Sequence, residues 1–137
     1  MIHRVLICGD RDWIDAGMIR RMLAFIGPKN IECVIEGESK GADRIARREA
    51  IILGIEVKRF YADWLQYGPS AGPIRNRRML KEGCPTQVIA FHDDIENSKG
   101  TKDMLNAAHA AGIPCTLVTH KGKTVWEGTA QQPTVQR

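Results

Sequence analysis

Short continuous apolar runs alternate with stretches whose apolar residues recur every three or four positions, and this alternation continues through residue 118. Val5-Leu6-Ile7-Cys8 is unbroken, as in a strand buried on both faces. Met18, Ile19, Met22, Leu23 and Ile26 then repeat at helical spacing until Gly27-Pro28 stops them. Ile31 to Ile35 predicts a second strand. Ala42, Ile45, Ala46, Ala50 and Leu53 mark a second helix, with Gly54 placed to end it. Val57 to Tyr61 is a more polar strand, expected near a sheet edge. A longer connection with Trp64, Tyr67 and Gly68-Pro69 leads to a helix from about Gly72 to Glu82. Gln87 to Phe91 is the next strand. Met104, Ala107, Ala108 and Ala111 form the stripe of a last helix, and Cys115 to Val118 closes the pattern.

Strands alternating with helices predict an α/β domain: a doubly wound, mostly parallel five-stranded sheet with helices on both faces over residues 1–120. Residues 121–137 form a polar tail in which Val125-Trp126 is expected as a short extra strand and the last residues as frayed.

The 137 residues, 43% hydrophobic and 26% charged, suffice for one such domain and no second substrate domain, so a partner subunit could complete a pocket. No run of 18 apolar residues predicts a membrane span, and the chain enters a strand at once, leaving no room for a signal peptide. A cytoplasmic protein is expected. Of the four cysteines, Cys8, Cys33 and Cys115 fall in strands and Cys84 in a loop, a pattern of reduced thiols with no metal-ligand spacing. No metal or cofactor is expected. A formal charge of +4 suits an anionic ligand and is too mild to argue for nucleic acid.

Candidate chemistry gathers after the strands, and in a parallel sheet those loops share the edge where ligands bind. The first, Gly9-Asp10-Arg11-Asp12-Trp13, lacks the GxGxxG spacing of a dinucleotide fold. Gly9 permits a sharp turn and Arg11 offers a planar fork to an anion, the alternative being a surface Arg-Asp pair with Trp13 covering the first helix. After the second strand, Gly37 and Gly41 allow close backbone approach. Ser39, Lys40 and Asp43 there open a helix whose N–H groups and dipole would face an anion, or would simply be capped. Asp43 reads as a first-turn dipole partner before a catalytic base. Arg75-Asn76 lies one turn into the third helix, beside a run of cations that could equally be a solvated face. His92 ends a strand, and Ser98, Lys99, Gly100 and Thr101 again combine hydroxyl, cation and helix start. Asp93 and Asp94 could serve acid–base chemistry or only a turn.

GDRDW, EGESKGAD, ADW, AGPIRNRRM and FHDD running on to SKGT occur in this order over residues 3 to 118, and together they resemble the SLOG superfamily, in particular its YspA-like, YpsA-related branch of bacteria and phages. The resemblance implies a compact Rossmann-like domain that binds nucleotides or nucleotide-derived signals. Among related branches, the Lonely-guy phosphoribohydrolases cleave the N-glycosidic bond of nucleoside monophosphates with an Arg-Lys pair and a PGGxGTxxE loop. Here Arg75 matches the Arg, Asn76 replaces the Lys, Gly100-Thr101 matches the GT, Ser98-Lys99 replaces the paired glycines, and Met104 stands at the position of the catalytic Glu. Methionine moves no proton. Asp103, one residue earlier, is about 100° round the helix.

The resemblance therefore implies a sensor or sink for a phosphorylated, ADP-ribose-like ligand held by Arg11, Ser39, Lys40, Gly41, Arg75, Gly100 and Thr101. Trp13 or Trp64 would line the base, and the protein would be a homodimer. An active N-glycosidase using Arg75 with Asp103 or Asp94 is the alternative. A module like the DprA branch, binding single-stranded DNA through the helix from Arg75 to Lys81, is a second and weaker one.

Overall fold

A computed structural model describes residues 1–128. In chain order the elements are β1 (His3–Gly9), α1 (Ala16–Ile26), β2 (Ile31–Glu36), α2 (Ala42–Ile52), β3 (Glu56–Arg59), the short α3 (Trp64–Tyr67), α4 (Ala71–Gly83), β4 (Gln87–Phe91), α5 (Gly100–Ala110), β5 (Cys115–Thr119) and β6 (Gly122–Val125). The sheet runs β3-β2-β1-β4-β5-β6, parallel throughout except for the antiparallel β5–β6 pair.

The unbroken apolar run of β1 follows from its central place. Val5 and Ile7 point into a core with Ile19, Leu23, Ala46 and Ala50 of α1 and α2. Leu6 and Cys8 point to the other face, against Met79 of α4 and Leu105 and Ala108 of α5. The polar β3 is at the sheet edge. Chain direction across the sheet reverses between β1 and β4, so their C-terminal ends open a crevice there.

The sheet has six strands where periodicity predicts five. The sixth, Gly122–Val125, takes in Val125 of the expected Val125-Trp126, and Trp126 follows directly after it. Its indole is buried and donates to Asn106 Oδ1 at 3.1 Å, and its backbone N–H donates to the Cys115 carbonyl. The expected fraying of the last residues lies outside the described residues. Cys8, Cys33 and Cys115 are buried free thiols, and Cys84 is exposed. No described helix is long and apolar enough to cross a membrane.

Candidate functional site

The three loops that sequence chemistry singles out converge at the β1–β4 crevice, a cavity of about 320 Å³. Gly9 is required at its base. A Cβ there would stand 2.3 Å from the Phe91 carbonyl of β4. The following residue, Asp10, is a backbone hub. Its N–H donates to the Phe91 carbonyl, and its own carbonyl accepts from Trp13 N–H and from Ala42 N–H at the start of α2. Gly41 completes this junction with φ +85°, and any side chain on it would press into the Asp10 and Arg11 backbone at 2.3–2.5 Å.

The second loop is organised around Asp43. Its buried carboxylate accepts from the N–H groups of Gly37 and Ser39, each at 3.2 Å. An anion thus already sits within the turn before α2, supplied by the chain itself. Burial pushes the Asp43 carboxyl up to about 6, against the opposing pull of the Arg75 guanidinium and the two backbone donors. Arg75 is 8% exposed, donates from Nη1 to the Gly37 carbonyl at 2.5 Å and from Nε to Asn76 Oδ1 at 3.1 Å. Gly37 is small because the guanidinium occupies the space a Cβ would need, at 2.8 Å. Beneath this loop the Glu36 carboxyl is fully buried, with Oε1 accepting from Glu38 N–H and Oε2 without a partner. Desolvation raises it to about 7.

On the opposite side the crevice ends at α5. Ser98 Oγ accepts from Thr101 N–H at 3.1 Å, while the backbone N–H groups of Lys99 and Gly100 have no acceptor within the protein among the described residues. Asn76 stitches this turn to α4 by donating to the Gly100 carbonyl and to Asp103 Oδ2. His92 lines the cavity with Nδ1 accepting from Asp94 N–H, which leaves Nε2–H as the donor of the neutral ring. Arg11 lines the mouth with its guanidinium over the Trp64 ring at 5.7 Å. Cys8, Met79 and Met104 form the apolar floor.

The structure therefore brings Gly9, Arg11, Ser39, Asp43, Arg75, Asn76, His92, Ser98, Gly100 and Thr101 to one cavity. Gly37 and Gly41 shape the loops without lining it. Lys40 faces an adjoining groove, with Nζ 3.6 Å from Asp12 Oδ1. Trp13 does not reach the crevice. Its ring packs against Phe91 and His120, where closing the sheet end buries it, and its indole donates to the Asp15 carbonyl. Trp64 touches the site only through Arg11.

The two carboxylates proposed for hydrolysis are both engaged elsewhere. Asp103 Oδ2 accepts from Arg77 at 2.5 Å and from Asn76 at 3.0 Å, and Asp94 is bound by the Asn97 amide. Met104, at the position where the resemblance expects the catalytic Glu, is buried on the cavity floor.

A further cluster escaped the sequence. His120, in the β5–β6 turn, bonds Asp93 Oδ2 through Nδ1 at 2.7 Å and Asp15 Oδ2 through Nε2 at 3.0 Å, and stacks on Trp13. Asp15 also caps α1 by accepting from Met18 N–H. These two carboxylates raise the imidazole above its ordinary value. No local spacing signals the trio, since its members come from three separate loops. Among the described residues no group of His, Cys, Asp and Glu is arranged to hold a metal.

A model of the YspA, cpYpsA-related SLOG family matches residues 3–67. Gene 61 protein of Mycobacterium phage D29 is 34% identical over 123 residues, an alignment covering 82% of this chain and 94% of that protein. Among solved structures, DNA processing protein A (DprA) from Streptococcus pneumoniae superposes with a TM-score of 0.67 at 16% identity, over 85% of this chain and 50% of that one. This chain spans about half the length of DprA, and the likeness is one of fold.

Proposed function

The chain belongs to the YspA, cpYpsA-related SLOG family, and on that premise we propose that the β1–β4 crevice binds a phosphorylated, nucleotide-derived small molecule, as sensor or sink, without hydrolysing it. The carrying observation is the open turn at α5. Uncommitted N–H groups of Lys99 and Gly100 meet there with the cations of Arg11 and Lys99, which no described carboxylate pairs in a salt bridge. A helix N-terminus with such donors favours an anion. The nucleoside part would rest on the Cys8, Met79 and Met104 floor, with His92 Nε2–H donating to a sugar or base acceptor. Arg75 acts from below, holding the second loop in place through Gly37. A binding role without hydrolysis is supported by Met104 and by the engagement of Asp103 and Asp94. The proposal extends to a cytosolic homodimer, supported by the exposed Tyr61, Leu65 and Tyr67 beside Trp64.

Purified protein would be incubated at near-stoichiometric concentration with nucleoside phosphates, ADP-ribose and cyclic nucleotides, and the retained and free fractions analysed by liquid chromatography–mass spectrometry. An intact phosphorylated ligand should be retained. Arg11→Ala and Lys99→Ala should each weaken it about tenfold, the worth of one charge-assisted hydrogen bond. Release of free base with ribose phosphate would instead establish hydrolysis. Retention of nothing, with salt-sensitive binding to single-stranded DNA, would replace the proposal by the DNA-binding alternative.

A further inference from the structure

We infer that the ligand is two-headed, carrying a second phosphate that leaves the crevice and lies in the adjoining cationic groove over α2. This rests on the crevice-binding proposal and adds a ligand class to it.

The crevice, at about 320 Å³, lies at the small end of the range for ligand sites. It is not closed at its mouth. Arg11 and Asp12 are a shared wall, and on their far side lies a second hollow of about 430 Å³. Four cations line that hollow: Arg11, Lys40, Arg44 and Arg48. Among the described residues its sole lining carboxylate is Asp12, already close to Lys40 Nζ. Arg44 donates Nε to the Glu38 carbonyl, which orients the guanidinium without neutralising it. Arg48 shares the Glu49 carboxylate, at 3.7 Å, with Arg20, which binds it more closely at 2.8 and 3.3 Å. Among the described residues that line it, the groove therefore sets four cations against one carboxylate.

Its floor is apolar. Ile14 is 88% exposed there, beside Ile45 and Trp13. An isolated anion site has no use for such a floor, whereas a nucleoside with a terminal phosphate covers it while its charge meets the arginines. The two hollows adjoin at Arg11 and Asp12, with uncommitted backbone donors at the α5 end and cations over α2. A molecule with phosphates separated by a nucleoside matches this arrangement in charge and polarity.

The test compares the four 5′-phosphorylated homodinucleotides with the four mononucleotides, by calorimetry at fixed low salt, on wild type and on an Arg44→Ala/Arg48→Ala double variant. Both arginines are exposed, so circular dichroism should find the variant folded. The best dinucleotide should bind at least about tenfold tighter than its mononucleotide. The double variant should erase that advantage and leave mononucleotide affinity within about twofold. Arg44→Lys/Arg48→Lys should restore part of it, since charge is kept. No dinucleotide advantage in wild type, or equal losses for both ligands in the variant, would overturn the two-headed ligand and leave the crevice proposal standing. Affinity that keeps climbing to strands of eight nucleotides would overturn it in favour of nucleic acid. Absence of binding by every one of these probes would remove the two-headed ligand, and the crevice proposal would fall only if ADP-ribose and cyclic nucleotides failed to bind as well.

Discussion

Between β2 and α2 the N–H groups of Gly37 and Ser39 are held by Asp43, that of Glu38 by Glu36 and that of Ala42 by the Asp10 carbonyl. Between β4 and α5, Ser98 caps Thr101 while Lys99 and Gly100 keep their donors open to the crevice. Both segments lead from a strand into an 11-residue helix through Ser, Lys and Gly. One turn contains its own anion, whereas the other leaves its donors without an acceptor among the described residues. What separates them is a single carboxylate in the first turn. Asp43, two residues after Gly41, folds back onto its loop, whereas Lys102 stands at that place after Gly100 and the next residue, Asp103, bonds Arg77 and Asn76 instead.

The strongest way to break this comparison is to enlarge the glycine of each turn. Gly41→Ala places a Cβ against the Asp10 and Arg11 backbone at a left-handed φ, and should cost on the order of 3 kcal/mol or more in urea unfolding. Gly100→Ala meets open space and should change stability by less than about 1 kcal/mol, in the favourable direction. Equal losses would mean that α5 is scaffold too.

Titration sharpens the contrast. Glu36 and Asp43 have folded values, about 7 and about 6, above their ordinary ones, so the folded chain keeps protons that the unfolded chain has released. Stability should therefore fall as pH rises from about 4 to 7. Glu36→Gln should flatten that slope by on the order of 2 kcal/mol between pH 4.5 and 7. The His120 pin, close to the other turn through Asp93, acts in a different window. Its raised value makes its contribution complete below pH 6.5 and lost as pH rises through the folded value. His120→Gln should remove the slope above pH 6.5 and leave the lower one, as read by thermal melts across pH. A flat wild-type profile would contradict both assignments.

A much smaller loss than that of Gly41→Ala is expected of Ser98→Ala. Losing the cap on Thr101 should cost about 1 kcal/mol in urea unfolding. A loss as large as that of Gly41→Ala would again erase the distinction between the two turns.

Most of the scaffold is legible along the chain, since β1, α1, β2 and α2 each carry a period that names the buried face. The site was legible as places more than as roles. Spacing locates Arg75 near the crevice, but not that its guanidinium would be buried under Gly37, because that bond joins residues 38 positions apart. Trp13 reads as either a ligand wall or a helix cover, and only the meeting of Phe91 and His120 on its two sides decides for core. The sixth strand was foreshadowed by Val125-Trp126, yet its register depends on an Asn106 acceptor in α5.

The position of β1 also has a consequence for how the molecule is made. One of its edges pairs with β2, which follows within thirty residues, and the other with β4, where Val5 faces Gln87. A nascent chain leaving the ribosome with residues 3–67, the stretch the family model matches, therefore carries its central strand with one edge bare and one core face uncovered. The β1–β4 crevice closes only when β4 arrives and α5 packs behind it. Its completion is thus a late, long-range event in folding, which needs the chain to have been made as far as α5.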